Sequence, residues 1–304
     1  REGSMNVVVT GGTGFLGRRL VARLREAGHE VVVLSRGGTP AALPPGIQVV
    51  PWPEGASGWE AAVDGAGAVV NLAGERVSQR WTAAAKKEIE KSRVDGTRRL
   101  VKAISAAATK PSVLVNASAV GYYGARGDEE LTEDAPPGDD FLARTCRKWE
   151  KAAAEAEDIG VRVVRIRIGL VLAPDGGALA KMLPAFRAFA GGPAGSGAQW
   201  MSWIHRDDLV ELFLFTLERA AAAGPLNGTA PAPVRNRDFA SALGRALRRP
   251  AFVPVPAPAL RLLFGEMATI VLEGQRALPS RPLALGFRFR FPELGAALRD
   301  VVGG

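Results

Sequence analysis

Val7-Val8-Val9-Thr10-Gly11-Gly12-Thr13-Gly14-Phe15-Leu16-Gly17 is the stretch that decides how this chain of 304 residues is read. A β-branched run breaks into glycines at 11, 14 and 17, and a helical pattern then runs from Phe15 to about Ala27. The segment therefore reads as strand, tight turn and helix. Glycines permit the sharp turn and let a diphosphate reach main-chain N–H groups, and the helix that begins there directs its partial positive charge to the same place. A second strand, Glu30 to Leu34, follows at the spacing of a βαβ unit, the context that turns a glycine triplet into a dinucleotide site. Gly11, Thr13, Gly14, Phe15, Leu16 and Gly17 are thus candidate cofactor-binding residues.

The second strand ends at Ser35-Arg36. An acid at that point would hydrogen-bond the 2′-hydroxyl of NAD, whereas a hydroxyl followed by an arginine suits the 2′-phosphate of NADP. NADP(H) is therefore favoured over NAD(H), the alternative for Arg36 being a solvated loop cation.

Further strands are read at Ile47 to Val50, Ala68 to Gly74, Ser112 to Ala117 and Val161 to Ile168, with helices at Thr82 to Ala108 and Phe141 to about Ile159. Small residues close two of these strands, Leu72-Ala73-Gly74 and Ala117-Ser118, where open α/β sheets let a cofactor lie against the backbone. The fold class is α/β, a Rossmann-type doubly wound parallel sheet over residues 5–172. Residues 173–304 form a smaller, mostly helical substrate lobe, with 200–222 packing back on the sheet. Within it, Asp208 and Glu211 have the spacing of a capping box, and Glu266 to Ala277 reads as a helix. Ala125 to Asp140 reads as a loop over the site. Arg1-Glu2-Gly3-Ser4 ahead of Met5 reads as a cloning remnant.

Composition narrows the function. An apolar fraction of 47% supplies a core, and no apolar run approaches the roughly 18 residues that span a bilayer. With no signal-peptide pattern and one cysteine, Cys146, a reducing cytoplasmic setting is expected. Two histidines, His29 and His205, leave no metal-ligand spacing. The net charge of +8 comes from arginines spread singly and lacking interleaved stacking aromatics, so a nucleic-acid partner is not expected.

Several segments together resemble the extended short-chain dehydrogenase/reductases of the NAD-dependent epimerase/dehydratase family. They are Thr10 to Gly17, Asn71-Leu72-Ala73-Gly74, and Ser118 with Gly121-Tyr122-Tyr123-Gly124. Arg80-Trp81, Ser92-Arg93-Val94-Asp95-Gly96-Thr97, Trp203 to Leu209, and Gly265 to Gly274-Gln275-Arg276 resemble a bacterial sugar-nucleotide-epimerase-like subgroup that ends in a domain of unassigned function. The resemblance implies a homodimer and a small carbonyl or nucleotide-linked sugar substrate. It also implies a catalytic tyrosine with a lysine four residues on, and that pair is missing. Leu142 and Cys146 stand at about those two places, and Arg93 replaces the helix asparagine of other members.

Ser118 and Tyr123 remain as candidate catalytic residues, a hydroxyl to orient substrate and a phenol to donate a proton; capping and aromatic packing are their structural alternatives. Arg93 and Cys146 join the candidate cofactor-binding set, Cys146 also reading as a small core filler. His205 reads as structural. Two functions follow: an NADP(H)-dependent epimerase-like or oxidoreductase enzyme, or an NADPH-binding regulator that has lost turnover.

Overall fold

The computed structural model describes residues 3–37 and 43–303. Arg1 and Glu2, half of the stretch read as a cloning remnant, lie outside the described residues.

The first strand sets the pattern of the sheet. In β1 (Asn6–Thr10) Val7 and Val9 point to one face and Val8 to the other, and all three are buried, as in a strand covered on both sides. After α1 (Phe15–Glu26) come β2 (Glu30–Ser35), β3 (Gln48–Pro51) and β4 (Ala68–Asn71), then the long α2 (Ala83–Ala106) and β5 (Val113–Ala119). Beyond a two-residue β6 (Glu130–Leu131) lie α3 (Phe141–Ala154), β7 (Arg162–Ile168), β8 (Leu170–Leu172) and α4 (Gly177–Arg187). Next are β9 (Trp200–Met201), β10 (Trp203–His205), α5 (Arg206–Glu218), β11 (Gly224–Gly228), β12 (Val234–Arg235) and α6 (Asn236–Leu247). The chain ends with α7 (Ala257–Phe264), α8 (Thr269–Leu272), β13 (Arg276–Ala277), α9 (Ser280–Ala284) and α10 (Leu294–Gly303).

Seven strands form one parallel sheet in the order β3-β2-β1-β4-β5-β7-β11, so the direction of winding reverses between β1 and β4. That switch point opens a crevice at the carboxyl ends of the strands, where such sheets bind ligands. On one face α1 and α5 seal Val7, Val9, Leu209 and Phe213; on the other, α2 with Trp52 and Trp59 seals Val8, Val69 and Leu114. A third core around Trp203, Phe239, Leu243 and Leu298 belongs to the lobe.

Three sequence expectations change. Gly224–Gly228, inside the stretch read as the lobe, is the seventh strand of the main sheet; its Gly-Pro-Leu-Asn-Gly texture suits an edge position, which tolerates proline. The helix expected over Glu266 to Ala277 is cut to Thr269–Leu272, because Arg276 and Ala277 pair as β13 with β6 inside the segment read as a loop. The capping-box reading of Asp208 also fails. His205 caps α5, its Nδ1 accepting the Asp207 N–H at 3.1 Å, while the Asp208 carboxylate accepts the N–H groups of Arg290 and Phe291 at 2.8 and 2.9 Å. Asp208 therefore fastens the C-terminal segment to the sheet domain.

Candidate functional site

The glycine turn is shaped for a ligand and closed to side chains elsewhere. Gly11 has φ +67°, and a Cβ there would come within 2.9 Å of the Leu72 backbone. On Gly17 a Cβ would lie 2.2 Å from the Gly11 carbonyl oxygen, so α1 rests directly on the turn. Gly14 differs: apart from that same carbonyl, 3.2 Å away, nothing lies within 4 Å of where its Cβ would be. Gly14 is also the N-cap of α1, with no side-chain cap and no acid in the first turn. Main-chain N–H groups thus face open space, a cradle a diphosphate fits and a side chain would fill. The Phe15 ring packs away from this space beneath Gly176, leaving its backbone and that of Leu16 on the cradle.

Toward the adenosine side, Thr13 Oγ1 lies 3.5 Å from Ser35 Oγ, and Gly37 N–H donates to Ser35 Oγ at 3.4 Å. Arg36 is largely exposed, its Nη2 3.6 Å from a Glu75 carboxylate oxygen. A hydroxyl and an exposed cation at the end of β2 fit a phosphate monoester.

Beneath the cradle a buried polar chain locks the strand ends. Thr10 Oγ1 donates to Asn71 Oδ1 at 2.6 Å and accepts the Ala73 N–H at 3.2 Å. Asn71 Nδ2 donates to Asn116 Oδ1 at 2.6 Å and to Thr97 Oγ1 at 2.9 Å, and Trp149 Nε1 reaches the same Thr97 oxygen at 2.9 Å. Five elements are tied together, so Leu72, Ala73 and Ala117 are held by satisfied polar groups.

At the reaction end, the candidate hydroxyls lie inside the wall. Ser118, only 3% exposed, donates to Glu150 Oε1 at 2.7 Å. Glu150 also takes both Nε and Nη2 of Arg167, at 2.8 and 2.9 Å. Tyr123 is fully buried; its hydroxyl donates to Asn227 Oδ1 at 2.6 Å and accepts Arg167 Nη1 at 2.9 Å. Burial pushes the phenol up to about 12 against the opposing pull of Arg167. Tyr123 thus lies buried behind the strand ends, its hydroxyl hydrogen-bonded to Asn227 and Arg167. The Cys146 thiol is likewise pushed up to about 12 by burial and by Glu150, with Arg93 acting in the opposite direction. It stays a neutral thiol near pH 7, as a core filler would.

Arg93 lies flat against Gly74, where a Cβ would sit 3.0 Å from its guanidinium carbon, and 5.1 Å from the Trp149 ring centroid. Its Nη1 donates to the carbonyls of Glu75 and Ile89 at 3.0 and 3.1 Å, and burial lowers its pKa. His205 is held below its ordinary value by burial despite nearby Asp207, Asp300 and Asp208. Among the described residues no group of three metal-ligating side chains forms, and no helix is long and apolar enough to cross a membrane.

Sequence reasoning missed Glu150, Arg167, Asn227 and Glu133, which accepts the Asn227 N–H at 2.9 Å. A signal existed: Arg167 sits in a strand between two others, and a buried strand cation demands a partner.

A family model described as NAD dependent epimerase/dehydratase family matches residues 7–227, and a second, a domain of unknown function (DUF1731), matches residues 255–301. The Arabidopsis thaliana epimerase family protein SDR39U1 homolog, chloroplastic, is 49% identical over 310 residues, covering 99% of this chain and 88% of that protein. The crystal structure of human epimerase family protein SDR39U1 (isoform 2) with NADPH aligns with a TM-score of 0.90 at 39% identity, over 99% of this chain and all of that one (100%). MoeE5 in complex with UDP-glucose and NAD shares the fold, with a TM-score of 0.79 at 22% identity over 98% and 97% of the two chains.

Proposed function

The chain belongs to the NAD-dependent epimerase/dehydratase family, and from that membership we propose that it is an NADP(H)-binding enzyme of epimerase or oxidoreductase type. Its substrate on this reading is a small carbonyl compound or nucleotide-linked sugar, held between the sheet domain and the lobe that begins near residue 173. The observation that carries the proposal is the open, uncapped start of α1 at Gly14 beside the Ser35-Arg36 pair. A human relative 39% identical was solved with NADPH, which supports the same choice of nucleotide.

Each residue then has a task. The α1 amides from Phe15 to Gly17 bind the diphosphate above Gly14, and Thr13, Ser35 and Arg36 receive the adenosine ribose and its 2′-phosphate. Leu72, Ala73, Gly74, Ala117 and Cys146 give the nicotinamide half a close, water-poor wall, and Arg93 adds its charge there. When bound, the cofactor supplies the hydride. Ser118 acts from behind, its hydroxyl fixed by Glu150.

The test is a fluorescence titration with NADPH and NADH. Arg36→Ala should weaken NADPH by about 10- to 100-fold, the usual worth of hydrogen bonds to a charged group, and leave NADH nearly unchanged. Equal losses for both nucleotides would refute the phosphate assignment.

One observation favours a second reading, an NADPH-binding regulator without turnover: the Tyr123 and Ser118 hydroxyls are buried and already donate hydrogen bonds to Asn227 and Glu150. A panel of carbonyl and sugar-nucleotide substrates that consumes no NADPH, with binding intact, would select it.

A further inference from the structure

Arg19, Arg23, Arg126 and Arg167 each grip a carboxylate in the same way, with the side-on edge formed by Nε and Nη2. Arg19 holds Asp207 at 2.8 and 3.3 Å, Arg23 holds Glu211, and Arg167 holds Glu150 at 2.8 and 2.9 Å. Arg162, which has no carboxylate partner, spends both terminal nitrogens on the carbonyls of Thr216, Leu217 and Ala222. Arg93 follows neither pattern. It uses Nη1 alone, on two carbonyls, and its Nε and Nη2 donate to nothing among the described residues, though neither is sealed away as a buried unsatisfied atom.

The guanidinium is nevertheless fixed. Gly74 supports one side, Trp149 lies on α3 5.1 Å away, and the two carbonyls hold its inner end. Arg93 sits against Gly74, just past the carboxyl end of β4, and beside Trp149 of α3, so it stands at the strand-end crevice on the α3 side rather than at the α1 turn. Glu75 attracts this cation through space but no carboxylate hydrogen-bonds it among the described residues, and a rigid planar fork is matched to a planar oxyanion. Phosphates of the nucleotide are already provided for at α1 and Arg36.

We propose that the Nε–Nη2 edge of Arg93 binds a carboxylate of the substrate, so that this protein acts on a carbonyl or sugar compound that carries an acid group. The idea deepens the enzyme reading above and uses the cofactor site only to say which half of the crevice Arg93 faces.

Oxamate, an unreactive compound with a carboxylate beside a carbonyl, is the probe. In the wild type it should raise the melting temperature by itself and change the emission of bound NADPH. Arg93→Met should weaken oxamate binding by about tenfold or more and NADPH binding by clearly less, since the charge-assisted contact to the acid is the larger loss. Arg93→Lys, a point charge without the fork, should fall between them. Gly74→Ala presses on the guanidinium without removing its charge and should also weaken oxamate, which keeps the idea testable if Arg93→Met folds poorly. The proposal is overturned if oxamate fails to bind the wild type, if it stabilises Arg93→Met as well as wild type, or if Arg93→Met loses NADPH and oxamate together. Should the wild type bind oxamate but neither pyridine nucleotide, the cofactor reading falls and the oxamate-induced melting shift still decides Arg93.

Discussion

Two guanidinium groups near the strand ends, Arg167 buried and Arg93 half-buried, are treated oppositely by the chain. Arg167 has Glu150 on one edge, the Tyr123 hydroxyl and the Glu133 carbonyl on Nη1, and the Tyr122 ring 3.5 Å from its centre. Burial alone would lower its pKa, yet the Glu150 hydrogen bonds and charge hold it above the ordinary arginine value. Arg93 has two carbonyls, a ring and a glycine. A cation whose three nitrogens are all engaged is part of the frame. One whose fork stays free, at the open end of a cofactor sheet, is available to a ligand. The family's proton-handling pair is absent, and this chain has instead two arginines with divided roles.

The sharpest way to break that contrast is to remove the framed cation. Arg167→Met leaves the Glu150 carboxylate buried with only the Ser118 hydroxyl, and breaking a buried pair from one side costs about 3–5 kcal/mol. Urea unfolding should show it, and adding Glu150→Gln should restore part of the loss, since the stranded charge is then gone. Arg93→Met should cost under about 1 kcal/mol, because two carbonyl contacts are exchanged for relief of a desolvated charge. If the two variants lose similar stability, the division of roles is wrong.

A smaller effect tests the wall behind Ser118. Tyr123→Phe removes the donor to Asn227 Oδ1 and the acceptor of Arg167 Nη1, both fully buried, for about 1–3 kcal/mol by denaturant titration. NADPH affinity should not change. Loss of turnover in a folded Tyr123→Phe protein would return that phenol to the chemistry.

The same contrast explains what the sequence could and could not reveal. The strand–turn–helix at Val7 to Gly17 was legible because glycine spacing and β-branched runs are local signals, and the sheet follows from repeating them. β11 was not legible, since Gly-Pro-Leu-Asn-Gly carries no strand signal and pairs only because β7 offers an edge. Nor was Glu133, whose carboxylate serves Asn227 N–H and Arg281 N–H from residues 94 and 148 positions away. Ser118 was legible as a position. Its hydrogen-bond direction was not, because Glu150 reaches it from another element.

The slightest expected effect concerns the joint between sheet and tail, where His205 meets Asp207 and Asp208 on its own helix and Asp300 on α10. His205 Nδ1 accepts the Asp207 N–H, so the cap works with that nitrogen unprotonated, and Nε2, 3.2 Å from Asp300 Oδ2, carries the proton. Burial sets the folded pKa below the ordinary value of 6.5, so between the two values the unfolded chain holds more protons than the folded one. Stability from this group is therefore complete above about pH 6.5 and is lost as pH falls through the folded pKa, by at most about 1.4 kcal/mol per pH unit. His205→Asn keeps a capping oxygen for Asp207 N–H and cannot titrate. Subtracting its stability–pH curve from that of the wild type cancels the carboxylates common to both, and a flat difference below pH 6.5 would show that the histidine is protonated equally in both states.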